Sequence, residues 1–203
     1  MDLSSFAALA VAMTILSLIP GPGVFATVGT ALSSGFKPSL GIIAGLSTAD
    51  IIFLLFAIFG LSMVAEALGE CFFVIRLGGG LYLIWFGIRL MRSDPARMEA
   101  ARHAPSNRRT YFTGLFITFG NPKVILFYCG FLPTIMDLDV LTPPGIAIAC
   151  VTVSTVHFLV LGSYALLASR ARELLTGKNA LGMVQKTAGG LMMATGLKLV
   201  SET

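Results

Sequence analysis

Six stretches of roughly 20 or more mostly apolar residues fill nearly the whole chain, and each is long enough to cross a bilayer as a helix. They are Ser5–Ala31, Leu40–Ala65, Cys71–Met91, Tyr111–Leu132, Pro144–Ser169 and Ala180–Val200. Barrel strands do not fit, because those run to about ten residues and alternate. A water-soluble fold is excluded by composition. Of the 203 residues, 12% are charged and 56% hydrophobic, against a charged share of about 25% in soluble domains. A soluble core could not hide so much apolar surface, and the rest would lie open in patches that soluble monomers avoid. The expected fold is all-α: a polytopic membrane protein with six transmembrane helices, forming a single transporter-like domain over residues 1–203. The first stretch reads as a span and not a signal peptide, since Asp2 is its only early charge and a basic leader is missing.

The formal charge of +4 describes topology, not nucleic-acid contact. Threading the six spans puts Lys37, Arg89, Arg92, Arg97, Arg102, Arg108, Arg109, Arg170, Arg172, Lys178 and Lys186 on one side, 11 of the 14 Lys and Arg. Basic residues concentrate on the cytoplasmic side. Both termini are therefore expected outside the cytoplasm, and the polar segment Ser93–Thr110 becomes a cytoplasmic loop. Cys71, Cys129 and Cys150 show no metal or redox spacing and read as small core residues. No cofactor and no resident metal are expected.

The third and sixth spans look alike. Arg76-x-x-Gly79-Gly80-Leu81 leads to Gly87-Ile88-Arg89-Leu90, and Lys186-x-x-Gly189-Gly190-Leu191 leads to Gly196-Leu197-Lys198-Leu199. This predicts a 3+3 repeat, with one copy over about 1–92, the loop over 93–110 and the second copy over about 111–203. A repeat of three spans must sit inverted in the membrane, an arrangement typical of secondary transporters, whose sites lie near the midplane at the repeat interface. Corresponding spans of the two halves also carry breakers: Pro20-Gly21-Pro22-Gly23 in the first and Gly120-Asn121-Pro122-Lys123 in the fourth. Proline removes a backbone donor and clashes with the preceding turn. At 1.5 Å per residue, Pro20 lies roughly 22 Å and Pro122 roughly 16 Å into its span. Helices 1 and 4 are expected to be discontinuous there. The half-helices that restart would aim positive dipole ends at the bilayer centre, where they could hold a carboxylate.

Ionisable residues fall at similar depth. Asp50 lies roughly 15 Å into the second span, where a charge costs at least about 2.5–3.5 kcal/mol. It could hold a substrate ammonium or carry a proton, the favoured reading; the alternative is a buried carboxyl satisfied by Ser47, Thr48 or the Asn121 amide. Lys123 could pair with Asp50 or help hold a carboxylate. Asn121 could contact substrate, cap the half-helix that follows it, or both. His157 occupies nearly the place in the fifth span that Asp50 has in the second, and could relay protons. Gly41-x-x-x-Gly45 reads as helix packing; Tyr82, Trp85 and Tyr128 could line a cavity or pack, and packing is the preferred reading. The candidate substrate site is thus Pro20, Gly21, Pro22, Gly23, Asp50, Asn121, Pro122 and Lys123, with Asp50 and His157 as candidate proton carriers.

These residues carry a family resemblance that runs the length of the chain. Pro20-Gly21-Pro22, Gly35 after Leu32-Ser33-Ser34, Asp50, Gly79-Gly80-x-Tyr82-Leu83-x-Trp85-x-Gly87 with Arg89-Leu90, and Asn121-Pro122-Lys123 followed by Phe127, Phe131, Leu132 and Pro133 are similar to the LysE/RhtB family of bacterial amino-acid exporters. The resemblance implies a secondary active exporter of amino acids or close derivatives in the bacterial cytoplasmic (inner) membrane, working by alternating access with proton or ion exchange. The expected partners are an amino-acid-like small molecule and the lipid bilayer, with a homodimer left open. Outward direction is implied by the resemblance alone. The family carries Asn after Pro-Gly-Pro where this chain has Gly23, which implies backbone-only substrate contacts at that point. The alternative reading is a metal-ion or other small-cation exporter of the same superfamily, for which Asp50 is the one obvious intramembrane acid.

Overall fold

The computed structural model describes residues 3–92, 107–138 and 140–174, together with scattered positions between 183 and 201. The central loop over residues 93–106 and most of the expected sixth span lie outside the described residues. Every described element is helical. In chain order they are α1 (Leu3–Leu18), α2 (Pro22–Ser34), α3 (Phe36–Arg92), α4 (Asn107–Phe119), α5 (Pro122–Leu126), a single π turn (Phe127–Phe131), α6 (Leu132–Ile135) and α7 (Pro143–Leu174).

Proline chemistry sets the breaks. The residue before a proline is pushed out of the α region, and α1 stops at Leu18, just ahead of Ile19-Pro20. Pro22 then opens α2 from its first turn, where a missing N–H costs nothing. Pro122 does the same for α5. The chain bends by 61° between α1 and α2, and by 59° between α4 and the α5–α6 segment. Gly35 joins α2 to α3 at φ 94°, a left-handed conformation that favours glycine, and its N–H closes α2 on the Ala31 carbonyl.

Two helical stretches are individually long and apolar enough to cross a membrane, Phe36–Phe59 within α3 and Pro143–Ala171 within α7. Each bent pair passes the same test when its two helices are taken together, which gives up to four such spans among the described residues. Glu66–Glu70, which falls between the second and third apolar stretches, is helical in the structure, inside the 57-residue α3. That segment holds no proline and only one glycine, Gly69, so nothing in it stops a helix. Near the end of α3, Gly87 faces Met193 while Gly189 faces Met91, so the two helical backbones pass antiparallel at a glycine-to-glycine contact.

The molecule is inverted in polarity. Asp50, His157, Asn121, Thr27, Ser47 and Thr118 are buried. Outside, Val151, Leu159 and Leu167 on α7 are 64, 66 and 65% exposed. Apolar side chains facing outward and polar ones facing inward suit a lipid surround. One apolar cluster joins Leu9 and Met13 of α1 to Phe53, Tyr128 and Val153; a second joins Val24 of α2 to Ile43, Leu46, Ile117 and Leu161. Tyr128 packs in the first cluster, stacked on Phe53 with ring centroids 6.1 Å apart and its hydroxyl 3.6 Å from Met13 Sδ. Trp85 is half-exposed, and the side chain of Tyr82 lies outside the described residues.

Gly45 and Gly114 let α3 and α4 meet backbone to backbone. A Cβ on Gly45 would strike the Tyr111 carbonyl, and one on Gly114 the Ile42 carbonyl. Gly45→Ala is therefore expected to lower the thermal stability of the detergent-purified protein, by about 1–3 kcal/mol. Gly29→Ala is the control, because a Cβ there meets nothing within 4 Å. Equal melting temperatures for the two variants would contradict the close approach.

Candidate functional site

The broken end of α1 exposes carbonyls that have no helical partner, and burying them unpaired in an apolar medium costs several kcal/mol each. Side chains from the far half of the sequence supply the donors. Lys123 Nζ donates to the Leu16 carbonyl at 2.7 Å and the Ile19 carbonyl at 2.9 Å. Tyr164 on α7 donates its hydroxyl to the Leu18 carbonyl at 3.0 Å. Lys123 thus places its cation at the negative end of α1. Its ion-pair contact is with neither Asp50 nor any other carboxylate among the described residues.

The two restarting helices differ. Gly21 precedes α2 and offers no side-chain cap. The first helical bond there is Phe25 N–H to the Gly21 carbonyl at 3.0 Å, so the amides of Gly23 and Val24 have no intrahelical acceptor. At the second break Asn121 closes the gap itself. Its Oδ1 accepts the Lys123 amide at 3.2 Å, and its carbonyl accepts those of Val124 and Ile125 at 3.1 and 3.2 Å. Capping is therefore what Asn121 does here. The free positive end faces the cavity from α2.

Asp50 on α3 meets His157 on α7, with Oδ2 against Nδ1. Both residues are buried, Asp50 at 1% and His157 at 8% exposure. The imidazole is thus the neighbour in contact with Oδ2, while Asp50 Oδ1 and the neighbouring Ser47 hydroxyl find no hydrogen-bond partner among the described residues. Thr48 is turned to the Ala44 carbonyl at 2.9 Å. A buried carboxyl without donors is costly, and it can be satisfied by a proton, a water or an incoming cation.

These groups surround one cavity. Its walls include Gly21, Gly23, Asp50, Asn121, Lys123 and His157, all singled out by sequence. Pro20 and Pro22 shape the break but do not line it, and the side chain of Pro122 lies outside the described residues. The remaining wall comes from Leu16, Ser17, Val24, Leu46, Thr118, Val124 and Leu161, which carry no sequence signal beyond apolar or small-polar character. A cavity volume of about 30 Å³ has room for about two water molecules, far short of an amino acid. Among the described residues no three His, Cys, Asp or Glu side chains converge as a metal-ligand set.

A restarting helix with open amides, beside a buried acid–imidazole pair, sits in a chain whose residues 14–203 match the sequence model of the LysE type translocator family. The chain belongs to this family. LysE-type translocators are transporters, and the chain is no enzyme. It is 33% identical to an uncharacterized membrane protein of Synechocystis over 93% of this chain and 92% of that one. It is 29% identical to the homoserine/homoserine lactone efflux protein of Salmonella typhimurium, again over 93% and 92%. A threonine efflux protein of Salmonella typhi is 28% identical over 61% of this chain and 62% of its own length. No solved structure matches this LysE-type chain.

Asn121→Ala is expected to cost this translocator about 1 kcal/mol of stability through the lost cap, and Asn121→Ser to recover most of it. Thermal unfolding in detergent reads both. Identical melting temperatures for the Ala and Ser variants would contradict the capping role.

Proposed function

We propose that this translocator is a secondary active exporter of amino acids or close derivatives across the bacterial cytoplasmic membrane, coupled to proton exchange by alternating access. The observation that carries the reading is the closeness of two complementary features on one cavity: amides without a helical acceptor at the start of α2 and the buried carboxyl of Asp50, whose Oδ1 has no donor among the described residues. A zwitterion fits both. Its carboxylate would lie on the Gly23 and Val24 amides at the Pro20–Gly23 break. Its ammonium would face Asp50. Lys123 has a third N–H beyond the two that hold α1, and Asn121 and Pro122 keep that lysine at the rim. The efflux activities named for the related proteins support the amino-acid class and the outward direction.

Coupling follows from competition for Asp50. Protonation removes the negative charge that attracts an ammonium. One carboxyl therefore serves the proton and the substrate in turn, which favours exchange over co-transport. His157, in contact with Oδ2, is placed to take or give that proton. The cavity's small size fits a closed state between inward- and outward-open forms. Six spans in an inverted 3+3 repeat, with discontinuous helices 1 and 4 and both termini outside the cytoplasm, belong to the same proposal, which requires α3 to divide into its second and third spans near Glu66–Glu70, where the helix is continuous in this structure. The two bends and the antiparallel Gly87–Gly189 contact support it.

Inverted membrane vesicles with an acidic lumen test this directly. Labelled amino acids are expected to accumulate in the lumen and to stop doing so when the pH gradient is collapsed. No gradient-driven uptake across a broad panel would sink the reading. Asp50→Asn is expected to abolish that uptake while the protein remains folded, and His157→Asn to slow it. Full transport by Asp50→Asn would remove Asp50 from the site.

A further inference from the structure

We infer that the Lys123 ammonium is a resident cation, filling on the broken end of α1 a carbonyl site that would otherwise bind a soluble monovalent cation, and that this translocator therefore needs no alkali ion. The inference deepens the transport reading above and rests on it for its flux measurement only. In transporters with broken helices, the C-terminal ends of half-helices and unwound carbonyls are where coupling cations bind. Here that end carries the Leu16, Leu18 and Ile19 carbonyls. Two of the three accept from Lys123 Nζ, at 2.7 and 2.9 Å, and the third from the Tyr164 hydroxyl.

The ammonium comes from 107 and 104 residues away along the chain, so it is built into the fold and not supplied by a local turn. A Cβ on Gly21 would lie 3.5 Å from Nζ, in ordinary contact, so the lysine end is packed against the break itself. Lys123 also lines the cavity, together with Asp50 and His157, the other titratable groups that face it. Removing the side chain would leave two unpaired carbonyl oxygens beside a cavity that the Asp50 carboxyl also lines. Hard oxygen ligands of this kind, at the negative end of a helix, suit an alkali cation or a small alkylammonium.

The test uses purified, reconstituted protein in buffers where Na⁺ and K⁺ are replaced by choline, with Na⁺ or ethylammonium added back. Wild-type flux is expected to be indifferent to the replacement. Lys123→Ala is expected to lose about tenfold or more of its flux in choline, and to regain part of it with Na⁺ or ethylammonium. The same cations are expected to raise the melting temperature of Lys123→Ala and not of wild type, a readout that needs no transport. Lys123→Arg keeps the charge and is expected to show no cation requirement at whatever rate it works.

A wild type that requires Na⁺ or K⁺ overturns the inference, as does a cation requirement in Lys123→Arg. So does a folded Lys123→Ala that none of the added cations rescues or stabilises, or one that transports at full rate in choline. Should Lys123→Ala fail to fold, the wild-type and Lys123→Arg measurements still decide. If wild type moves no amino acid while cations stabilise Lys123→Ala alone, the cation site stands and the transport reading falls.

Discussion

A backbone carbonyl or amide left unpaired in a low-dielectric surround is the constraint on which this molecule turns. A chain that breaks two helices inside an apolar body creates such groups at four ends. Each has to be paired by the protein or left for a ligand, because lipid offers neither donors nor acceptors. The end of α1 is paired at long range by Lys123 and Tyr164. The start of α5 is paired locally by Asn121. The start of α2 has no cap, and it opens on the cavity. Of these three ends two are paired by side chains, and the start of α2 keeps amides without a helical acceptor beside the cavity.

The same economy applies to charge. Asp50 and His157 are placed together by α3 and α7, beneath two apolar clusters that exclude water from the rest of the interior. Oδ2 lies against the imidazole, while Oδ1 has no partner among the described residues. The Lys123 and Tyr164 bonds cross between the halves of the chain beside that cavity.

Much of this is legible in the residues. Two Pro-Gly clusters mark both breaks because proline cannot continue a helix from within. Asp50 and His157 stand out because charge is so scarce in apolar spans. Even the asymmetry of the restarts is written in the caps, Gly21 against Asn121, although it takes the structure to show that Asn121 spends its side chain on Lys123. Other features are not local and so leave no local trace. The partner of Lys123 depends on how residues more than a hundred apart come together. Tyr164 looks like any aromatic of a membrane helix. The Glu66–Glu70 segment reads as a connection by charge alone, yet its backbone has no reason to stop being helical.

The most direct measurement of the central claim follows protons instead of substrate. Proteoliposomes carrying a pH-sensitive dye in the lumen are given a gradient of a transported amino acid and no imposed pH gradient. Exchange at Asp50 requires protons to move opposite to the amino acid, and requires that movement to vanish in Asp50→Asn. Amino-acid flux through the wild-type protein with no accompanying proton movement would contradict it.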